Sequence, residues 1–181
     1  MRIIRGRFKT RRYKVSKQFP SRPTTDFAKE GLFNVLENQM ILEDLHILDL
    51  CAGTGNISVE FLSREAGTVV AVDKNYNCYK HIKNVSRELG CESEIRVIKA
   101  DILKFLDQSG ERFNIIFADP PYVYEHHNSI AQKVFERELL LDGGILVIEH
   151  GRETSMESLP HFLFSRKYGN VHFSFFQNSA A

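Results

Sequence analysis

Between residues 46 and 149 the sequence alternates short apolar runs, rich in β-branched residues, with longer segments of helical periodicity. The runs that predict strands are 46–50, 68–73, 95–98, 113–118 and 145–149. Strands that alternate with helices form a parallel sheet covered on both faces. Two further runs, 162–168 and 171–176, flank Gly169-Asn170, which predicts a tight turn between two strands. The pattern therefore predicts an α/β fold whose mostly parallel seven-stranded sheet ends in a C-terminal antiparallel hairpin.

Five helices are predicted around these strands. The first follows Thr24 or Thr25, either of which can serve as its N-cap, and continues to Met40. The other four are predicted over 55–66, 76–89, 102–106 and 129–140. Gly143-Gly144 then leads into the last parallel strand.

The first 22 residues carry nine basic side chains and no acidic one, so the remainder of the chain is net acidic. Apolar residues such as Ile3, Phe8 and Tyr13 punctuate this segment, which predicts a small N-terminal β-hairpin with basic residues on its open face. Such a segment suits a polyanionic partner, because lysine and arginine neutralise phosphates without reading sequence. The alternative is a solvated hairpin whose charges prevent aggregation at its edge. The side chains that we expect to contact nucleic acid are Arg2, Arg5, Arg7, Lys9, Arg11, Arg12, Lys14 and Arg22.

A glycine-containing loop, residues 49–56, lies where the first strand turns into the next helix. Ligands of open α/β sheets bind at this position, but the third glycine of the dinucleotide fingerprint is absent. Asp73 and Asp101 follow the next two strands, where they can reach a ribose and an adenine amine, although each could instead cap a helix. Acidic residues at successive strand ends suit a cofactor with a ribose and a cationic sulfonium. The residues expected to contact it are Asp49, Cys51, Ala52, Gly53, Thr54, Gly55, Asn56, Asp73, Lys74, Asp101 and Ile102.

The sequence Asp119-Pro120-Pro121-Tyr122 directly follows the fourth predicted strand. The two prolines fix φ, donate no N–H and hold Asp119 in an extended conformation. The result is a stiff turn that presents a carboxylate, free backbone carbonyls and an aromatic ring. Such acceptors beside a flat ring suit a planar group that carries N–H donors, such as the amine edge of a nucleobase. We therefore take Asp119, Pro120, Pro121 and Tyr122 as the candidate catalytic residues.

The glycine loop, Asp73 and the Pro-Pro turn resemble class I S-adenosylmethionine-dependent amino-methyltransferases. The segments 1–6, 22–24, 30–36 and 63–66 further resemble the RsmD-type methyltransferases of small-subunit rRNA. The family usually has Phe-Ala-Gly-Ser-Gly where this chain has Cys51-Ala52-Gly53-Thr54-Gly55, and residues 25–30 replace a more arginine-rich pattern. The resemblance runs over nearly the whole chain.

The resemblance implies a Rossmann-like class I methyltransferase fold in residues 23–181 and an RNA-binding extension in residues 1–22. It implies methyl transfer from S-adenosylmethionine to the exocyclic N2 amine of a guanine in 16S rRNA, either as naked small-subunit rRNA or in the assembling 30S particle. In that reading Asp119 and a carbonyl of the Pro-Pro unit accept the N–H groups of the amine, and Tyr122 stacks on the base.

Two other functions remain open at this point. One is an amino-methyltransferase with another substrate, such as adenine N6, on DNA, RNA or protein. The other is a non-catalytic RNA-binding assembly factor. The three cysteines show no C-x-x-C spacing, so we expect reduced thiols, no metal site and a cytoplasmic protein. We also expect a monomer with no membrane partner.

Overall fold

The computed structural model describes residues 1–15, 19 and 24–178, and it contains one seven-stranded sheet. The strands are β1 His46–Leu50, β2 Thr68–Asp73, β3 Ile95–Lys99, β4 Phe113–Ala118, β5 Leu140–His150, β6 Phe162–Tyr168 and β7 Val171–Gln177. The helices are α1 Asp26–Gln39, α2 Asn56–Ser63, α3 Tyr76–Leu89, α4 Ile102–Gln108 and α5 His127–Glu136. A short 3-10 turn, Glu92–Glu94, precedes β3. In the described parts of the chain, no helix has the length and apolar character needed to cross a membrane.

The strand order is β3-β2-β1-β4-β5-β7-β6. The first five strands pair in parallel, and β7 pairs antiparallel with both β5 and β6. The predicted sheet is confirmed, including its C-terminal antiparallel hairpin. The order reverses between β1 and β4, and such a switch point opens a crevice beyond the strand ends.

The sheet separates two hydrophobic clusters. Ile47 of β1 faces a cluster that includes Leu32 of α1, Phe61 of α2 and Ile82 of α3. Leu48, one position later, faces the opposite cluster, formed with α4 and α5. This alternation explains why β1 reads as a nearly continuous apolar run, since both of its faces are covered.

The end of α5 differs from the sequence prediction, which extended that helix over 129–140. The helix ends at Glu136, and Leu140 already begins β5 by pairing with Phe113. Leu139 and Leu140 are buried against the sheet, so their apolar character reflects strand pairing and not a helical face. The pairing of β4 with β5 shifts register before Ile115.

The N-terminal segment, residues 1–15, packs onto the helices and is called the arm below. Its β pairing among the described residues is one antiparallel bridge between Arg2 and Arg12, and residues 16–18 and 20–22 of the predicted hairpin lie outside them. Ile3, Phe8 and Tyr13 are buried in the same cluster as α1 and α2. The arm therefore adds to the core of the domain.

The turn of the arm lies against the end of α2. Gly6 has a φ of 88°, and a Cβ at this position would lie 1.6 Å from the carbonyl oxygen of Ser63. The N–H of Arg7 donates to that carbonyl at 2.8 Å, and the N–H of Phe8 donates to Oγ of Ser63 at 3.0 Å. Only glycine fits this contact, because it combines a left-handed conformation with the absence of Cβ.

A buried ionic network fixes the arm to α1 and α2. The carboxylate of Glu60 accepts hydrogen bonds from the N–H groups of Ile4 at 2.9 Å and Arg5 at 3.1 Å. Lys29 is fully buried, with Nζ 3.3 Å from Glu60 and donating to the carbonyl of Arg2 at 2.7 Å. Burial lowers the pKa of Lys29, and the charge of Glu60 opposes that shift. A buried charge left without its partner is strongly destabilising, so the network and the arm depend on each other.

Candidate active site

The glycine loop between β1 and α2 forms the floor of the crevice. Cys51, Gly53 and Gly55 have φ values of 58°, 54° and 76°. A Cβ at Gly55 would lie 3.1 Å from Cγ1 of Ile82 on α3. A left-handed conformation at a non-glycine residue is uncommon and tends to occur at functional sites. The tight turn therefore exposes backbone at the carboxyl end of β1.

Asp73 holds the loop to the end of β2. Its Oδ2 accepts a hydrogen bond from the N–H of Gly53 at 2.9 Å, and its Oδ1 accepts one from the N–H of Asn75 at 2.8 Å. The residue is half-buried at the crevice. The carboxylate thus lies at the position where a ribose is bound in related folds.

Asp49 lies beneath the loop and is buried. Its Oδ2 accepts a hydrogen bond of 2.5 Å from Oγ of Ser58. Burial raises the pKa of Asp49 to about 7, although the hydrogen bonds from Ser58 oppose the shift. The loop therefore rests on a carboxyl group that has no cationic partner among the described residues.

The remaining predicted cofactor residues have different surroundings. The side chain of Asn56 faces the protein: its Oδ1 accepts from Nζ of Lys29 at 2.7 Å, and its Nδ2 donates to the carbonyl of Thr24 at 3.2 Å. Asp101 caps α4, because its Oδ1 accepts from the N–H groups of Leu103 and Lys104. The predicted helix-cap role of Asp101 is therefore present, and the residue is exposed. Of the other predicted cofactor residues, Ala52 and Ile102 are buried and Lys74 is exposed. The hydroxyl of Thr54 donates to the sulfur of Met1.

The Pro-Pro turn follows β4 directly and lies beside the loop. The N–H of Asp119 donates to the carbonyl of Leu50 at 3.1 Å, which joins the turn to the end of β1. The N–H of Tyr124 donates to the carbonyl of Pro121 at 2.8 Å. The carbonyl of Pro120 thus remains the acceptor that accompanies the Asp119 carboxylate.

Glu149 is a site residue that the sequence prediction missed. It follows Ile148, which pairs with Ala118, so it stands beside Asp119 at the ends of adjacent strands. Only 4% of the residue is exposed. Burial raises the pKa of Glu149 to about 7. Burial, followed by the charge of Glu149, raises the pKa of Asp119 well above its usual value. The sequence did contain a signal for this residue, because Glu149 is a charged residue at the end of the apolar strand predicted over 145–149.

Tyr122 leans from the turn toward Glu149. Its hydroxyl donates to Oε1 of Glu149 at 3.5 Å. Its ring passes so close to Gly151 that a Cβ there would lie 3.4 Å from Cδ2 of the tyrosine. With 49% of the residue exposed, one part of the ring stays accessible from the crevice. Burial, with the charge of Glu149, raises the pKa of Tyr122 to about 12.

Tyr124 is a second aromatic residue beside the Pro-Pro turn, and the sequence prediction missed it. Its ring is half-buried and meets the rings of His126 and His127 edge-on, with centroids 5.4 and 5.7 Å away. Burial, with the negative charge of Asp101, raises the pKa of Tyr124 to about 12. It therefore belongs to the wall between the Pro-Pro turn and α4.

The arm carries two kinds of basic side chain. Arg2, Arg5 and Arg7 form ion pairs with the carboxylates of Asp26, Glu37 and Glu94, respectively. The guanidinium of Arg11 donates to the carbonyl of Glu88. Lys9, Arg12 and Lys14 are exposed, and no carboxylate within the described ranges pairs with them. Arg22, the remaining predicted contact, lies outside the described residues.

Comparison with known proteins gives consistent matches over nearly the whole chain. The model of the family described as "Conserved hypothetical protein 95" matches residues 1–177. The ribosomal RNA small subunit methyltransferase D of Escherichia coli strain K12 is 30% identical over 162 residues, which cover 88% of this chain and 79% of that protein. The Haemophilus influenzae protein of the same name is 28% identical, covering 98% of this chain and 94% of its own. The solved structure of the Escherichia coli protein yhhF aligns with a TM-score of 0.86 at 27% identity, covering 100% of this chain and 99% of the other.

Proposed function

We propose that this chain, which belongs to the family described as Conserved hypothetical protein 95, is a methyltransferase. In this proposal it transfers a methyl group from S-adenosylmethionine to the N2 amine of a guanine in small-subunit rRNA. The observation that carries the proposal is the contact between the Pro-Pro turn and the glycine loop, through the N–H of Asp119 and the carbonyl of Leu50. Acceptors for a planar amine thereby stand next to the loop that suits the methyl donor. The names of the similar Escherichia coli and Haemophilus influenzae proteins support rRNA as the substrate.

The electrostatics of the crevice fit a cationic cofactor. Asp49, Asp119 and Glu149 have raised pKa values, because each is poorly solvated and lacks a paired cation among the described residues. A sulfonium supplies the missing positive charge and, when bound, an activated methyl group. In this proposal Asp73 accepts the ribose hydroxyls and Asp101 accepts the adenine amine. The side chain of Asn56 faces the protein and not the crevice. This part of the loop would therefore contact the ligand through its backbone.

The target base would lie against the Pro-Pro turn. The carboxylate of Asp119 and the carbonyl of Pro120 accept the two N–H bonds of the amine and orient its nitrogen toward the methyl group. These acceptors also stabilise the positive charge that develops on nitrogen, an electrostatic role. The exposed part of the Tyr122 ring can stack on the base, whose removal from its own stack costs a few kcal/mol.

The exposed cations of the arm provide a candidate RNA contact. Lys9, Arg12 and Lys14 have neither a carboxylate partner nor, unlike Arg11, a carbonyl partner among the described residues, so they can neutralise phosphates without first breaking a contact. Arg2, Arg5 and Arg7 would exchange their present partners for phosphates. We therefore rank the first three above the others as RNA contacts of the arm.

The test is nucleoside analysis of small-subunit rRNA, naked and in assembled particles, after incubation with the protein and S-adenosylmethionine. N2-methylguanosine is the expected product. Methyl-adenosine without N2-methylguanosine would instead identify an adenine methyltransferase. Calorimetry with S-adenosylmethionine separates both enzymes from a non-catalytic assembly factor, for which no binding is expected.

A further inference from the structure

A basic aromatic surface lies on the exposed side of α3 and includes one lysine at the end of β3. It comprises Tyr76, Tyr79, Lys80, Lys83 and Lys99 and is called the α3 surface below. The rings of Tyr76 and Tyr79 face each other at 6.0 Å with an angle of 18° between their planes. Tyr76 is 56% exposed, so part of its ring is open to a ligand.

The lysines of the α3 surface surround the two rings. Nζ of Lys80 and Nζ of Lys99 lie 5.7 and 5.8 Å from the centroid of Tyr76, and Nζ of Lys83 lies 5.3 Å from that of Tyr79. Residues 74–87 contain no aspartate or glutamate. Within the described part of the chain none of the three ammonium groups pairs with a carboxylate, in contrast to Arg2, Arg5 and Arg7 of the arm. The positive charge of this surface is therefore available to a ligand.

Helix α3 carries the α3 surface, begins at the edge of the crevice and contacts the arm farther along. Tyr76 begins α3 just after Asp73, so one end of the surface lies at the edge of the crevice. Farther along α3, the ring of His81 contacts Tyr13 and Phe19 at 6.0 and 4.9 Å, and Glu88 accepts the hydrogen bond from Arg11. The arm thus packs against the same helix that carries the α3 surface.

We propose that the α3 surface binds a single-stranded segment of the RNA substrate, with bases stacked on Tyr76 and phosphates held by Lys80, Lys83 and Lys99. The chemistry fits because single-stranded nucleic acids combine exposed π-faces with a phosphate on every nucleotide, and proteins bind them with aromatic platforms in basic grooves. A duplex hides its base faces and would use only the lysines. The inference rests on the proposed function, since it extends the RNA path from the target base to α3.

The first experiment measures how binding of a fluorescently labelled single-stranded fragment of small-subunit rRNA depends on salt. Lys80→Gln/Lys83→Gln should weaken binding and reduce the slope of log affinity against log salt by about 1.4, as expected for two lost phosphate contacts. The matched control is Arg166→Gln/Lys167→Gln, which removes two exposed charges on β6, the strand at the opposite edge of the sheet. Its slope should equal that of the unmodified protein. Equal slopes for all three proteins would overturn the proposal.

The second experiment separates stacking from charge. Tyr76→Ala should weaken binding to the single strand by about tenfold and leave the salt slope unchanged, whereas Tyr76→Phe should bind normally. Binding to duplex RNA should be the same in all three proteins. An equal loss for duplex RNA, or no loss at all, would refute a stacking platform. If poly-glutamate competes as well as RNA and Tyr76→Ala has no effect, the surface is a general anion site and the proposal is wrong.

Calorimetry with S-adenosylmethionine distinguishes this inference from the proposed function. Lys80→Gln/Lys83→Gln should bind the cofactor with unchanged affinity. Suppose that the unmodified protein forms N2-methylguanosine. If the α3 variants then form it at the same rate and bind RNA with the same affinity, only the inference fails. If no variant binds the cofactor but RNA binding still depends on the lysines, the proposed function fails and the inference stands.

Discussion

Oγ1 of Thr24 donates a hydrogen bond of 2.9 Å to Oε2 of Glu149, although 125 positions separate the two residues in the sequence. The other oxygen of Glu149 accepts from Tyr122, so a single buried carboxylate links the start of α1 to the Pro-Pro turn. This contact also decides which threonine caps α1. Thr25 is the N-cap, and Thr24 is turned inward.

Replacing Glu149 with glutamine should change how stability depends on pH. The pKa of Glu149 is raised to about 7, above that of an unfolded glutamate, so the folded state holds more protons than the unfolded state between these values. The free energy of unfolding should therefore fall as the pH rises from about 5 to about 8. Glu149→Gln should flatten that decline, because the amide cannot ionise and can still bond to both hydroxyls. Urea unfolding at the two pH values measures this.

The control for this prediction is Glu153→Gln. Glu153 is exposed, with 86% of its side chain accessible, and its substitution should leave the pH profile of the unmodified protein unchanged. A Glu149→Gln profile that matches this control would show that Glu149 is not protonated in the folded state at neutral pH.

Cofactor affinity should depend on pH and on the charge of the ligand. Burial raises the pKa values of Asp49, Asp119 and Glu149, and a bound sulfonium would stabilise their ionised forms. Binding of S-adenosylmethionine should then release protons, and its affinity should rise by about tenfold between about pH 6 and about pH 8. S-adenosylhomocysteine, whose sulfur is neutral, should bind almost independently of pH. Calorimetry in buffers of different ionisation enthalpy measures the proton release directly, and equal pH profiles for both ligands would contradict the prediction.

Asp119→Ala should stop methyl transfer and largely preserve cofactor binding. Loss of a preorganised acceptor of developing charge typically lowers kcat by about 100-fold to 1,000-fold. Because the Asp119 carboxylate has no paired cation among the described residues, its removal should also increase stability at neutral pH. Single-turnover kinetics and thermal unfolding measure the two effects. The control is Asp142→Ala, at a fully accessible side chain, which should change neither the turnover nor the stability. Normal turnover in Asp119→Ala would show that Asp119 has no part in the mechanism.

Gly6→Ala should detach the arm without removing any of its charges. The added Cβ would overlap the carbonyl of Ser63, and the φ of 88° is unfavourable for alanine. We expect a loss of about 2 kcal/mol or more in the free energy of unfolding, because the strain also exposes the ionic network of Glu60. Gly110→Ala is the matched control, since a Cβ there meets no atom within 4 Å. Chemical denaturation compares the two variants, and equal stability would show that the arm is not a structural part of the domain.

The sequence predicted the sheet and the Pro-Pro turn because both arise from local patterns. The alternation of apolar runs determines a parallel sheet, and two prolines after β4 determine a turn regardless of what surrounds them. Glu149 was missed because its significance comes from neighbours on other strands and on α1. The end of α5 was misplaced because buried leucines suit a helix and a strand equally, and only pairing with Phe113 distinguishes them. The charge count of the arm was correct, but it did not reveal that three of its arginines face carboxylates on α1 and on the 3-10 turn before β3.

The anchoring of the arm has a consequence for the order in which the molecule is made. The N–H groups of Ile4 and Arg5 donate to Glu60, which is synthesised 56 and 55 residues later. Until that glutamate and the rest of α2 leave the ribosome, Ile3, Phe8 and Tyr13 have no cluster in which to be buried. The arm leaves the exit tunnel before its partners and must therefore wait for them, and an apolar, positively charged segment stays accessible to chaperones and to RNA during that interval.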